Sequence, residues 1–267
     1  MSTTVGSWLA DNEDLDRLDR EVLLMDALSV SRARILTSPE QHISTGQSCR
    51  INAQAAALRA GKPLAYVRGF KEFWGLTLVV DEHVLVPRPE TEHLVEHALA
   101  LIQPGDRVAD LGTGSGAVAI AIASERPDVA VWASDVSEAA LTIAKRNAAA
   151  HEAEIHLVRS FWLDDLPGAF DVIISNPPYV AEHDSALEAL QYEPRSALVS
   201  GTDGLNDIRE IVAQARTRCT RALLIEHGAD QGGAVRALFL EAGFENVATH
   251  PDLAGHDRVT LGLRHER

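Results

Sequence analysis

Cysteine is nearly absent: Cys49 and Cys219 are the only two in 267 residues, isolated and far apart. That spacing excludes a disulfide framework and a cysteine metal pair, and it fits a reducing compartment. No apolar run approaches the roughly 18 residues that a membrane-spanning helix needs. The start, Met1-Ser2-Thr3-Thr4, has neither the basic nor the apolar region of a signal peptide, so a soluble cytoplasmic protein with no membrane partner is expected. Cationic clusters are missing as well. There are 24 Lys and Arg against 39 Asp and Glu, a net charge of −15. A protein that holds a nucleic-acid backbone needs local cationic surface, so long nucleic acid is a disfavoured partner, although a patch assembled by the fold stays open.

What is present belongs to an ordinary globular chain: 46% hydrophobic and 24% charged residues, with no internal repeat. The length suits one large domain with a smaller companion. Residues 1–75 read as a helical domain. Leu15, Leu18, Val22 and Met25 recur at helical spacing, and Ile51 to Leu58 continues to a stop at Ala60-Gly61. From Phe73 to Val86 apolar residues alternate around Asp81-Glu82-His83, which predicts a β-hairpin, with a connector over 76–88. Residues 89–267 alternate strand and helix, the pattern of a parallel, doubly wound α/β sheet. The last two strands, 247–250 and 258–263, are joined by a loop too short for a parallel crossover and should run antiparallel.

Two motifs carry chemistry. Asp110-Leu111-Gly112-Thr113-Gly114-Ser115-Gly116 ends one strand and opens the apolar helix from Ala117. Alternate glycines let the backbone turn sharply and approach a ligand closely, so a nucleoside can lie against them. Asp135, ending the next strand, stands where an acid accepts hydrogen bonds from ribose hydroxyls, though it also fits a cap of the following helix. Gly112, Gly114 and Ala117 satisfy the dinucleotide pattern too, so this loop alone permits a nicotinamide dehydrogenase.

The second motif, Asn176-Pro177-Pro178-Tyr179, follows the strand-like run 170–175. Its prolines donate no N–H, so carbonyls and the Asn amide form a cluster of neutral acceptors. Such a site suits an uncharged planar NH₂ group, either a glutamine amide or the exocyclic amine of a base. It has no role in hydride transfer, which counts against the dehydrogenase, as does Asp110, placed to face a partly cationic ligand.

With DLGTGSG at 110–116, Asp135 and NPPY at 176–179, the chain resembles class I methyltransferases that use S-adenosyl-L-methionine. PLAYVRGFKEFWGL at 63–76, VLVPRPETE at 84–92, SFWL at 160–163 and YEPRSAL at 192–198 make it similar, more narrowly, to the release-factor glutamine methyltransferases. The intact Pro89-Glu90-Thr91-Glu92 separates it from the ribosomal-protein glutamine methyltransferases, which usually depart there.

The resemblance implies a Rossmann-like sheet with an antiparallel last strand. It also implies methyl transfer to the glutamine of the Gly-Gly-Gln motif in peptide-chain release factors, acting as a monomer, with the helical domain docking the substrate. Cofactor-binding positions would be Gly112, Thr113, Gly114, Ser115, Gly116, Asp135, Trp162 and Asn176. Asn176 and Pro177 would be catalytic, accepting the two amide N–H groups, with Pro178 and Tyr179 completing the substrate site and Tyr179 bordering the pocket. Trp162 and Tyr179 also fit plain packing positions. An adenine or guanine methyltransferase, or a non-catalytic module that keeps the cofactor, remains open at this point. His93 and His97 lie four apart, but Leu94 stands where a zinc protease needs Glu, so a solvated helix face is expected.

Overall fold

The computed structural model describes residues 3–264, and the chain divides into two compact units, one ending at Gly69 and the other beginning at Phe70. The first unit is helical: α1 (Val5–Asp11), α2 (Arg17–Leu28), α3 (Arg32–Thr37), α4 (Thr45–Arg59) and α5 (Leu64–Arg68). Local chemistry sets the starts. Asp16 accepts from the Leu18 and Asp19 amides, and Ser44 with Gln47 forms a reciprocal capping box. The core gathers Trp8, Leu23, Leu24, Ile35 and Ile51. The buried face of α2 is Leu23, Leu24 and Ala27, whereas Leu18 is 52% exposed, so the spacing from Leu15 to Met25 gave the helix but not its orientation. Glu21 explains the rotation: its carboxylate is buried between Arg17 and Arg32, at 2.9 and 2.6 Å.

The second unit opens on a hairpin, β1 (Phe70–Phe73) and β2 (Leu76–Val79), and not on the hairpin expected over 73–86. The turn is Trp74-Gly75, with φ of 52° and 70°, the all-positive pair whose twist matches a two-residue hairpin. Asp81–His83 does form a turn, with Asp81 Oδ1 accepting the His83 amide at 2.9 Å, but no second strand follows it. Pro87 and Pro89 deprive the segment beyond of ladder donors. The hairpin groups with the second unit, so the division falls at Gly69 and not near 75.

Seven strands follow: β3 (Arg107–Leu111), β4 (Ala130–Asp135), β5 (Ile155–Arg159), β6 (Phe170–Ser175), β7 (Cys219–Glu226), β8 (Glu245–Pro251) and β9 (Asp257–Leu263), in sheet order β5-β4-β3-β6-β7-β9-β8. The first five are parallel; β9 is antiparallel to β7 and to β8, as the short final loop required. The helices are α6 (Thr91–Leu101), α7 (Ala117–Glu125), α8 (Glu138–Ala150), α9 (Asn206–Arg218) and α10 (Gly232–Glu241). Period-two alternation splits the strands between two cores. Val108, Val172 and Leu224 pack with α6 and α7; Ala109, Ile173 and Leu223 pack with α9 and α10. The chain leaves β3 toward β4 and β5, then returns to lay β6 on the other side of β3. Loops therefore diverge at the carboxyl ends of β3 and β6, where a crevice opens.

Candidate active site

That crevice is a cavity of about 360 Å³, walled by the glycine loop, the end of β4, the segment before α6, the loop after β5, the turn after β6 and residues 194–199. On the glycine side every conformational demand is local. Gly112, Gly114 and Gly116 have φ of 72°, 54° and 84°, in the left-handed region that favours glycine. A Cβ on Gly114 would meet nothing within 4 Å, so this backbone is bare toward the cavity. A Cβ on Gly112 would stand 3.0 Å from the Trp162 ring.

Gly116 differs from its expected role. It does not line the cavity, and a Cβ there would meet Ile120 at 2.9 Å and Ala144 at 3.2 Å, so its bareness serves the contact between α7 and α8. Asp135 is a scaffold and a cavity residue at once. Its Oδ2 accepts the Gly114 amide and its Oδ1 the Ser137 amide, each at 2.9 Å, and each oxygen keeps a second lone pair. The cap of α8 is Ser137, not Asp135. Burial raises the Asp135 pKa against those two bonds. Asp110 is buried more deeply: its carboxyl is pushed up to about 6 by desolvation, and Oδ2 accepts the Thr113 hydroxyl at 2.6 Å and the Ala119 amide at 3.2 Å.

Two neighbouring aromatic residues line this side of the cavity. Trp162 lines the cavity but is 8% exposed, belongs to the core beneath α9 and leaves its indole N–H buried without a partner. Phe161, beside it, is 46% exposed and also lines the cavity.

At the opposite wall stands Asn176. Its Nδ2 donates to the Thr91 hydroxyl at 3.0 Å, and its Oδ1 is buried without a hydrogen-bond partner. A buried acceptor left unmade costs its desolvation, so an orphan on a cavity wall marks where a donor is to arrive. Pro178 lines the cavity beside it, but Pro177 is buried and Tyr179 lies outside the wall, contrary to expectation. Tyr179 packs toward Glu226, and burial, with that carboxyl next, pushes its phenol up to about 12. The reason is the β6 to β7 register, which pairs Ser175 with Ile225 and so sets the turn beside Glu226.

Several residues now have contacts that no local pattern foretold. Glu193, nearly buried, accepts the Val86 amide at 3.0 Å and pairs with Arg88, clasping the segment before α6 to the loop 193–199. Thr91 touches Asn176 directly, while Glu92 accepts the Trp74 amide at 2.8 Å and pins the hairpin turn. Pro-x-Thr-Glu was a visible signal for Thr91; Arg88 and Glu193 each stand in a quoted motif, but neither motif shows that the two meet across more than a hundred positions. The His97 and His250 rings lie 4.3 Å apart, tilted by 40°, so this helix face is not simply solvated. Among the described residues no cluster of His, Cys, Asp and Glu is arranged to hold a metal ion, and no helix is long and apolar enough to cross a membrane.

Residues 89–223 match the methyltransferase small domain, and residues 6–69 match the PrmC N-terminal domain. The release factor glutamine methyltransferase of Neisseria gonorrhoeae is 43% identical over 266 residues, covering 97% of each chain. The enzyme of that name from Escherichia coli K12 is 42% identical, over 92% of this chain and 91% of its own. Among solved structures, a methyltransferase of Pyrococcus furiosus superposes with a TM-score of 0.55 at 18% identity, over 82% of this chain and 98% of that one. The catalytic domain of hMettl16 does so with 0.57 at 16%, over 82% and 81%; both show the shared fold. By identity spread over nearly its whole length, the chain belongs to the release factor glutamine methyltransferase family.

Proposed function

We propose that the chain transfers a methyl group from S-adenosyl-L-methionine to the side-chain amide nitrogen of a glutamine, that of the Gly-Gly-Gln motif in peptide-chain release factors. The observation that carries this is the orphaned Asn176 Oδ1 on the wall of a cavity whose other side is a bare glycine loop. An unpartnered neutral acceptor fits an uncharged N–H donor better than a cationic one, for which a carboxylate would serve.

The residues present fit the cofactor. Gly112 to Ser115 offer close backbone approach, the free lone pairs of Asp135 suit ribose hydroxyls, and Phe161 with Trp162 suits an adenine face. When bound, the sulfonium supplies an electrophilic methyl group. The protein's part is chiefly orientation. An amide nitrogen is a poor nucleophile because its lone pair is delocalised into the carbonyl, so the site has to hold it well. Asn176 Oδ1 accepts one N–H; the Pro177 carbonyl, the second acceptor expected from the sequence, lies behind the wall and is not assigned the other. The Asn176 acceptor also stabilises the positive charge that grows on nitrogen. It does not take the proton, which leaves to water after the new N–C bond has formed, since the alkylated nitrogen is acidic.

The family members found in comparison carry the release factor in their names, and the net charge of −15 sets the surface against a polyanionic substrate. The chain is assigned to the cytoplasm as a monomer, with no stable nucleic-acid or membrane partner and with residues 1–69 as the docking part for the release factor. Incubation with methyl-labelled cofactor and a release factor, followed by mass mapping, should put one methyl group on the glutamine. Label on a ribosomal protein or nucleic acid alone would overturn the assignment.

A further inference from the structure

Among the described residues that line the cavity, Arg88 is the only arginine or lysine; His83, Asp110, Asp135 and Asp207 are the other ionisable groups there. A long cationic side chain usually reaches for water, but this one is fastened. Its Nη2 donates to Glu193 Oε1, and the Glu193 carboxylate is itself only 2% exposed, with Oε2 taken by the Val86 amide at 3.0 Å. Both oxygens of the glutamate are therefore committed. The guanidinium is not: it is a planar fork of several N–H donors, its side chain is 32% exposed, and among the described residues no other hydrogen bond engages it.

An ion pair that served only to strap the segment before α6 to the loop 193–199 would have no need of its cation on a cavity wall. Arginine with spare donors suits a planar anion, above all a carboxylate gripped through two N–H groups. The bare glycine loop, Asp135 and the aromatic pair of Phe161 and Trp162 suit the nucleoside part of the cofactor, and they leave its amino-acid carboxylate without a cation. We infer that Arg88 is the seat of the α-carboxylate of S-adenosyl-L-methionine, and that Glu193 is the positioning residue that holds the guanidinium ready for it. The inference rests on this cavity being the cofactor's. Glu193 fixes a flexible side chain before the ligand arrives, so less freedom is lost on binding. The stretches 84–92 and 192–198 thereby each contribute one half of a single binding element.

The test compares two ligands that differ only in that group, S-adenosyl-L-methionine and its decarboxylated form, by calorimetric titration of the full chain without release factor. The parent should favour the carboxylate-bearing ligand by about tenfold to a hundredfold, the scale of hydrogen bonds to a charged group. Arg88→Met should weaken that ligand by the same factor and change the decarboxylated one by less than about twofold. Arg88→Lys keeps the charge without the fork and should fall between. Glu193→Gln keeps an oxygen for the Val86 amide but loosens the arginine, so it should also penalise the carboxylate-bearing ligand, by a smaller factor. Because Arg88→Met strands a buried carboxylate, the double variant Arg88→Met with Glu193→Gln is titrated too, and every variant is melted. The quantity read is the ratio of the two affinities within one variant, which a general loosening of the wall leaves unchanged. Equal losses for both ligands would overturn the inference and leave the pair a strap. Unchanged affinity for both, with a raised KM for release factor, would overturn it in favour of a peptide contact. A parent that binds neither ligand would remove the cofactor assignment itself, and the inference with it.

Discussion

The two walls of the cavity treat their polar atoms in opposite ways. On the glycine side Asp135 and Asp110 are bonded within the protein, and the carboxylates of that wall are held as folded, although the Trp162 indole N–H beside Gly112 has no partner. On the Asn176 side the buried Oδ1 is left without a partner on the wall itself, and behind that wall Glu226 Oε2 is unpartnered as well. A satisfied wall holds a shape; an unsatisfied one holds bonding capacity in reserve for an arriving group. The first suits a nucleoside recognised largely by fit and spare lone pairs, and the second suits a reacting amide whose direction has to be imposed.

Asn176→Ala should break the comparison most severely, lowering the methyl-transfer rate by about a hundredfold or more, on the scale of one lost transition-state acceptor, with cofactor affinity nearly unchanged. Equal losses in rate and in affinity, measured by single turnover and calorimetric titration, would erase the distinction between the walls. Asp135→Ala tests the other wall in the opposite sense. Cofactor affinity should fall about tenfold to a hundredfold, since a charged acceptor and the tie to the Gly114 amide are lost together. The rate at saturating cofactor should fall less.

Gly116→Ala probes packing behind the loop. Its φ of 84° and the 2.9 Å approach to Ile120 should make the variant less stable by about 1–3 kcal/mol in denaturant melts. Gly114→Ala faces open space, so it should lose about 1 kcal/mol from its positive φ and act chiefly on cofactor binding.

The smallest effect is in pH. Glu226 is raised from 4.5 to about 7 by burial, so the folded state binds its proton more tightly than the unfolded state does. Its stabilising contribution is present at acidic pH and is lost as pH rises through about 7. Glu226→Gln should therefore lose less melting temperature than the parent between about pH 5 and pH 8. A parent and a variant with the same pH slope would show that the buried carboxyl is not the source.

The sheet and its helices were legible in the sequence because each strand of the parallel region is short, apolar and followed by turn chemistry, and because Ser137 and the glycine loop mark where helices open. Asn176 and Asp135 were legible for the same reason, as strand-end residues in short motifs. What escaped depends on distant partners or unusual backbone. A tryptophan at φ 52° in a two-residue turn has no sequence signature, so the hairpin was placed too late. Glu21 rotates α2 through arginines on either side of it. Tyr179 turns away from the cavity, and Pro177 and Gly116 lie behind its wall, because strand register and helix packing, not motif membership, decide what faces a ligand. Thr91 was inside a motif already singled out, yet its partner Asn176 lies far along the chain.

Asn147 on α8 is fully buried, exchanging two hydrogen bonds with Val79 at the end of the hairpin and donating a third to the Ser115 carbonyl in the glycine loop. One amide thereby fastens two segments that are far apart in sequence. Neither can loosen without straining the other, so their backbone protons should exchange with solvent in a single step, and the glycine loop inherits the rigidity of a hairpin that does not line the cavity.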